Sequence, residues 1–553
     1  MCPGPAPRRE GPADLVSLLP VLLFVLLVTV LPLLFLLASA WGDFGGLGGL
    51  YQQLWGDSLA AQAARRALGN SLVQGGWSAL FAFAVGYPVG VFVGRHRFPG
   101  RGLLLSTLLV TFLLPSLVVV VGIEDLFGTQ GYLHGLLPSL GSGLVAIILA
   151  NVYFNVGVVA LFTVGSVENA SRPQEEGAAV LGASPARIYR DVWGPPSLLG
   201  GGAGALLTFL FSFLSFAPPL LLGGPSSYTV EVWIYTLARG VFASTPLASA
   251  LATWVVFILA LPSLVYVILA RRTSLLGGVA RQAPTLRPIS LRSPVTYVLL
   301  ALTVGVVLST VTLLGGVLLD GFRGPGASFG LTNLQALFSG RVTGALQIST
   351  LAALGNSLLF ATLSVLLVLG LALAPAFAWP RHHRSAGAWD LLLFLPLLVS
   401  PVILALALES FYATTLAAPP FLWMLIVLSE SALALPFAVQ AVTLGLRGLP
   451  PEPTAAARTL GASRWRAFVD TQVLSLRTPL LSAALFTFAL ALGEFTATNF
   501  LYLPPYTTWV VEIYRLQGSR LFGPEAALAA LLVVLSLAVF VGIHALSGRE
   551  HAG

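Results

Sequence analysis

Apolar residues run along this chain in long, nearly continuous stretches, not at the period of two of a half-buried strand or in the single stripe of a surface helix. About 20 apolar residues in helical form cross a bilayer core, and twelve stretches approach or exceed that length. In the first half they are 15–40, 68–94, 102–123, 141–164, 203–222 and 246–270. In the second they are 294–319, 350–379, 389–410, 419–443, 480–503 and 524–546. The pattern predicts an all-α polytopic membrane protein of about 12 transmembrane helices in two tandem, parallel six-helix domains. The first stretch ends Ala38-Ser39-Ala40, like a signal-peptidase site. It is about twice as long as a signal-peptide apolar region, so a retained helix is expected.

The halves repeat. Leu68-Gly69-Asn70-Ser71-Leu72 recurs as Leu354-Gly355-Asn356-Ser357-Leu358, an offset of 286. Leu181-Gly182-Ala183-Ser184 recurs as Leu460-Gly461-Ala462-Ser463, and Ile234-Tyr235 as Ile513-Tyr514, both at an offset of 279. An even number of spans per copy makes the copies parallel. The expected division is a first domain at 1–272, a cytoplasmic linker at 273–293 and a second domain at 294–553. Gly86, Gly90 and Gly94 form a small-residue stripe in the first copy, and Gly370, Ala374 and Ala378 one in the second. Both predict close helix packing in lipid.

Charge sets the orientation. All 28 basic residues are arginine. With the N-terminus inside, 21 of them fall on inner segments, a three-to-one excess that places both termini in the cytoplasm. Arg65 and Arg66, before the second span, are the main exception. Only 9% of residues are charged, and the net charge of +7 reads as basic inner loops on lipid, not as a nucleic-acid surface. One cysteine, Cys2, excludes internal disulfides, and the six scattered histidines lack a His-Glu-x-x-His pattern, so no metal and no cofactor are expected. The absence of lysine excludes a Walker A loop and Schiff-base chemistry. His382, His383 and Asp390 lie by an inner loop without a partner set, and no catalytic residue is assigned.

One inner loop per copy is long: 171–196 and 450–479. In the first, Ser171 suits an N-cap, with Pro173, Glu175 and Glu176 in the first turn. Gly182 breaks that helix, Ser184-Pro185 starts another, and Pro195-Pro196 ends it. The second runs Thr454, Ala455-Ala456-Ala457, Arg458, Gly461-Ala462-Ser463-Arg464. Two short helices with so little to bury need a docking partner.

These residues resemble the Glu-Ala-Ala loop of permease subunits of ATP-binding-cassette importers. The first copy matches with Glu176-Gly177-Ala178, Gly182 and Pro195. The second lacks the glutamate and has Leu474 at the proline position. The resemblance implies that Glu175, Glu176, Gly182, Ala183, Ser184 and Arg187, with Ala455, Gly461, Ala462, Ser463 and Arg464, couple to a cytoplasmic ATPase, of which two copies are expected. It also implies a periplasmic or lipid-anchored substrate-binding protein as partner, and residence in a bacterial inner membrane. A fused pair of six-span copies resembles the thiamine and ferric-iron importer permeases. Arg97-Phe98-Pro99-Gly100-Arg101, Leu114-Pro115-Ser116-Leu117, Asn151 to Asn155 and Gly223-Gly224-Pro225 look closest to the thiamine branch; Gly493-Glu494-Phe495 resembles both. Both substrates stay open at this point, and so does an ion-coupled secondary carrier, which shares the parallel six-plus-six plan.

Polar residues within spans are costly and face a bundle interior. Asn151, Asn155, Ser215, Glu430 and Glu494 are therefore candidates for a translocation path, against interhelical hydrogen bonding as the plainer role. Glu124, Asp125 and Glu409 near outer ends are expected to be solvated or to touch the binding protein. Trp41, Trp55, Trp233 and Trp509 suit an interfacial belt.

Overall fold

The computed structural model describes residues 12–129, 131–168, 172–240, 243–276, 286–289, 294–324, 328–340, 342, 344, 348–378, 395–396, 399–413, 421–447, 449 and 452–549. Ser171, His382, His383, Asp390, residues 450–451 and most of the 273–293 linker lie outside them. Among the described residues nine helices are long and apolar enough to cross a membrane, eleven if two sharply bent pairs count as spans. Each matches one of the apolar stretches. The remaining stretch, 389–410, is represented by the short apolar helix Pro401–Phe411.

Three stretches are not the straight spans expected. The third breaks between Arg101–Leu113 and Ser116–Phe127 with a bend of 97°. Pro115 has no amide hydrogen and forces Leu114 out of the helical region; Leu114 is extended, at φ −62° and ψ 138°. Pro401, 286 residues on, opens a helix in the same way, with the Ser400 hydroxyl accepting from the Val402 and Ile403 amides. The 203–222 stretch ends its helix at Phe213 and resumes as a π-turn at Pro219–Gly223. The 480–503 stretch ends at Gly493 and resumes at Thr496–Leu501.

The chain packs as two compact units that cut across the sequence repeat. One holds Met1–Phe35, Leu354–Tyr506 and Leu537–Gly553; the other holds Leu36–Ala353 and Thr507–Ser536. The first helices of the two copies are thus exchanged. In the first unit, the π-turn Leu26–Val30 lies against Pro401–Phe411 and Leu422–Arg447. Tyr412 Oη donates to Leu27 O at 3.1 Å, and Phe35 meets Phe411 edge-on at 5.6 Å. In the second unit, Pro294–Gly321 packs on Ser116–Phe127 so closely that a Cβ at Gly122 would lie 2.7 Å from Leu313 Cγ.

Glycine sets the central contact of the second unit. A Cβ at Gly86 would stand 2.7 Å from Val156 O, and one at Gly90 2.6 Å from Ala160 O, so Leu59–Arg95 and Gly143–Glu168 meet nearly backbone to backbone. The stripe in the second copy behaves differently: a Cβ at Gly370 would meet nothing within 4 Å. Gly90→Leu is therefore expected to destabilise the fold by about 3 kcal/mol through overpacking, while Gly370→Ala is neutral or slightly stabilising. Thermal unfolding of the purified protein in detergent checks both, and equal midpoints for the two variants would remove the distinction.

The repeated Leu-Gly-Asn-Ser-Leu segment does the same work twice. Asn70 Nδ2 donates to Ser226 O at 3.1 Å, and Asn356 Nδ2 to Pro505 O at 2.7 Å. Ser226 and Pro505 are themselves 279 apart in sequence. Arg65, an apparent exception to the charge rule, has a local job: it donates to Leu54 O at 2.7 Å and Gly56 O at 2.8 Å, satisfying carbonyls at the end of Leu47–Trp55. Of the proposed tryptophan belt, Trp41 and Trp55 are half exposed, but Trp509 is buried and donates to Thr350 O at 3.2 Å, a structural rather than an interfacial position.

Candidate functional site

The two long loops expected on the inner face, 171–196 and 450–479, are built to one plan. In the first, Arg172–Val180 is helical and ends in a Schellman motif. The Ala183 amide reaches Ala178 O at 3.0 Å, the Gly182 amide reaches Ala179 O at 3.0 Å, and Gly182 sits at φ +78°. In the second, Glu452–Thr459 ends the same way: Ala462 to Ala457 O at 3.0 Å, Gly461 to Arg458 O at 3.1 Å, and Gly461 at φ +90°. Side chains at these φ values clash with their own carbonyl, costing about 1–2 kcal/mol. No neighbouring atom lies within 4 Å of a Cβ at either glycine, so the backbone angle, not crowding, calls for glycine.

After the bend each loop starts a second short helix capped by the predicted serine. Ser184 Oγ accepts from the Arg187 amide at 3.4 Å, and Ser463 Oγ from the Arg466 amide at 3.3 Å. Each short helix, Pro185–Ile188 and Arg464–Phe468, passes into a π-turn, Tyr189–Trp193 and Val469–Val473, before the next long helix. The Arg464 backbone is described in that helix, its side chain is not. At the bend the loops expose large apolar side chains. Val180 is 87% exposed, Leu181 88% and Leu460 89%. Ala183 and Ala462, the residues after the glycines, are half-buried, and Ala455 is exposed.

The two adjacent glutamates are split by the helix they share. Glu176 is exposed, but Glu175 points back into the protein, where Arg95 and Arg287 both donate to its Oε1, the latter at 2.7 Å. The resemblance groups Glu175 with the coupling contacts; its side chain is held within the protein by these two arginines. The same position 279 residues on is Thr454, whose hydroxyl pairs with Thr471 Oγ1 at 2.8 Å and accepts from Gln472 Nε2 at 3.1 Å. The second loop is anchored by neutral hydrogen bonds where the first uses an ion pair.

The intramembrane polar candidates fall into two separate groups, each within one compact unit. Asn151 Nδ2 donates to Gln74 Oε1 at 2.6 Å, Gln74 Nε2 donates to Ser212 O, and Asn155 Nδ2 donates to Asn151 O at 2.8 Å. Ser215 lies beside this group, its carbonyl accepting from Thr229 Oγ1 at 3.5 Å. In the other unit, Glu430 Oε2 accepts from Ser364 Oγ at 2.9 Å. Glu494 accepts from the Ala497 and Thr498 amides and from Thr498 Oγ1, all at 2.9 Å. It caps the helix that restarts after Gly493. Asn151, Asn155, Glu430 and Glu494 are all buried. Sequence reasoning passed over Gln74 and Ser364; each is a polar residue inside an apolar run, the signal already used for Asn151 and Glu430.

Two of the carboxyls expected to be solvated, Glu124 and Asp125, are only partly exposed. Glu124 is partly buried and accepts from Gln517 Nε2 at 2.5 Å, while Asp125 lies against Asp320. Asp320 in turn accepts from Tyr132 Oη at 2.9 Å. Asp320 also pairs with the Arg323 guanidinium at 3.6 Å. Among the described residues no group of three or more His, Cys, Asp and Glu has the arrangement of a metal site.

Residues 86–275 match the family described as binding-protein-dependent transport system inner membrane component. The chain is 25% identical to the thiamine transport system permease protein ThiP of Escherichia coli (strain K12), over 86% of this chain and 88% of that protein. It is 26% identical to the protein of the same description from Salmonella typhimurium, over 91% of this chain and 92% of that one. A shorter match, 28% identical over 33% of this chain and 68% of the relative, is to a probable molybdenum ABC transporter permease protein of Haloferax volcanii.

Proposed function

We propose that this chain, whose residues 86–275 match the binding-protein-dependent transport system inner membrane component, is the fused permease of an importer of thiamine or a phosphate ester of it. The substrate reading rests on relatives described as thiamine permeases that align along about nine-tenths of the chain. The coupling reading rests on one observation: two inner loops with the same glycine-centred bend, each presenting an exposed leucine, Leu181 or Leu460. An exposed apolar tip on a preformed bend suits a groove on a cytoplasmic protein. Two such tips call for two ATPase subunits. The chain supplies no lysine for a phosphate loop, so ATP is hydrolysed by those subunits and not by this one. Cargo arrives from a binding protein on the outer side, and both termini lie in the cytoplasm.

The test is uptake by proteoliposomes holding this chain, its ATPase and its binding protein. Labelled thiamine is expected to accumulate with ATP inside and to survive an uncoupler. Uptake that follows the ion gradient and ignores ATP would indicate a secondary carrier; ATP-driven uptake of ferric iron in place of thiamine would move the substrate to the other branch.

Within the membrane, Glu430 and Asn151 stand 279 residues apart at equivalent positions of the two copies, each buried in its own unit, and Glu430 is the proposed contact for a cationic substrate. Glu430→Gln keeps the volume and the Ser364 partner but removes any negative charge. It is expected to lower thiamine uptake about tenfold, the scale of one well-placed charge interaction, while ATPase assembly persists. Glu494→Gln is expected to act more through the lost helix cap. Full transport in the double variant would remove both residues from the path.

A further inference from the structure

The segment joining the two copies is fastened to the first inner loop. Arg287–Pro288 forms a two-residue parallel pairing with His96–Arg97, which lies just after the Leu59–Arg95 helix. Ile289 and Phe98, the next residues on each side, pack on the apolar cluster of Val89, Phe92, Val93 and Leu104. This pairing carries the Arg287 guanidinium to Glu175, 2.7 Å away, where Arg95 already holds the same carboxylate oxygen. Arg95 in turn lies over the Trp193 ring, its Cζ 4.1 Å from the centroid. The Glu175 side chain is only 14% exposed between the two arginines, whereas that of Arg287 is 63% exposed.

From this geometry we infer that Arg287 is a positioning residue: acting through Glu175, the linker between the copies sets the orientation of the Arg172–Val180 helix that the ATPase meets. The inference rests on the coupling reading of that loop. Charge-assisted bonds to one carboxylate oxygen from two directions fix the side chain, and with it the rotation of a helix that is itself exposed on most sides. Glu175 facing inward is what turns Glu176 and Leu181 outward. Thr454 replaces the carboxylate in the second copy, so this tether is specific to the first loop and makes the two loops unequal.

The experiment is a double-mutant cycle of Arg287→Ala and Glu175→Gln in the full chain, read two ways. Amide exchange of residues 172–180 in the chain without ATPase is expected to rise about threefold on Arg287→Ala, the scale of a partly exposed ion pair. Stimulation of the assembled ATPase by loaded binding protein is expected to fall by a similar factor. In the Glu175→Gln background Arg287→Ala is expected to add nothing, and Arg287→Lys to restore part of the loss. Unchanged exchange, or an equal further loss in the Glu175→Gln background, would overturn the role. If the wild-type helix gained no protection from added ATPase, the coupling reading would fail, but the exchange result without ATPase would still decide the tether.

Discussion

Replacing Gly182 with valine is expected to cut ATP-driven uptake at least tenfold, with the chain still inserted and folded. The expectation comes from the backbone. Gly182 sits at φ +78°, and a β-branched residue there meets both the left-handed penalty of about 1–2 kcal/mol and its own stiffness at χ1. The chain escapes by unwinding the Schellman turn, which releases the Ala183 and Gly182 amides and moves Leu181 away from its exposed position. The loop projects from the body, with nothing within 4 Å of the added Cβ, so little else is disturbed. Gly461→Val distorts the other loop by the same route. If the two loops contribute unequally, as Glu175 against Thr454 implies, the Gly182 variant should be the more damaging. Uptake and ATPase co-purification measured together check the pair. Normal uptake in the double variant would sink the coupling role of both bends.

A second large effect is expected from Glu512, on the Trp509–Gly518 helix between the last two spans. Its side chain is fully buried, with Thr507 Oγ1 donating to Oε1 at 2.7 Å and Oε2 without a partner. Burial raises its pKa to about 7, opposed by the Thr507 hydrogen bond and by Arg515. The acid is harder to ionise folded than unfolded. Its neutral form costs the fold little below about pH 4.5, and the penalty grows as pH rises towards about 7, where the folded group ionises, and is constant above that. The full penalty corresponds to about 3 kcal/mol. Glu512→Gln should therefore raise the thermal midpoint at pH 8 by several degrees and leave it nearly unchanged at pH 4.5. A gain of the same size at both pH values would show that ionisation is not the cause.

The inner loops were legible because every device in them is local. A glycine after a helix and a serine before one act through their own backbone, and Gly182 and Ser184 in the first copy, Gly461 and Ser463 in the second, do so; the proline at the first turn, Pro185, serves the first copy alone, with Arg464 at its place in the second. The direction of Glu175 was not legible. Which of two adjacent glutamates turns inward depends on Arg95 and Arg287, which lie 80 and 112 residues away in sequence. The breaks within the 203–222 and 480–503 stretches were missed for another reason: hydropathy measures burial, not helical continuity. Pro218-Pro219 follows the first break and Gly493-Glu494 marks the second, and Pro115 carried the same kind of signal in a stretch that also reads as one straight apolar run. Equal small-residue stripes led to different outcomes, since whether Gly90 or Gly370 touches another backbone is a choice of neighbour made by the whole fold.

The exchange of first helices bears on why the two copies are one chain. The helix at the start of the first copy completes the unit built mainly from the second, and Pro294–Gly321 completes the unit built mainly from the first. Two separate polypeptides would have to find each other before either unit was whole, and the folded fraction would follow their concentration in the membrane. Covalent joining turns that encounter into a ring closure within one molecule, at a fixed effective concentration. Dilution in the bilayer then leaves the pairing intact, and the two unequal inner loops are always delivered in a ratio of one to one.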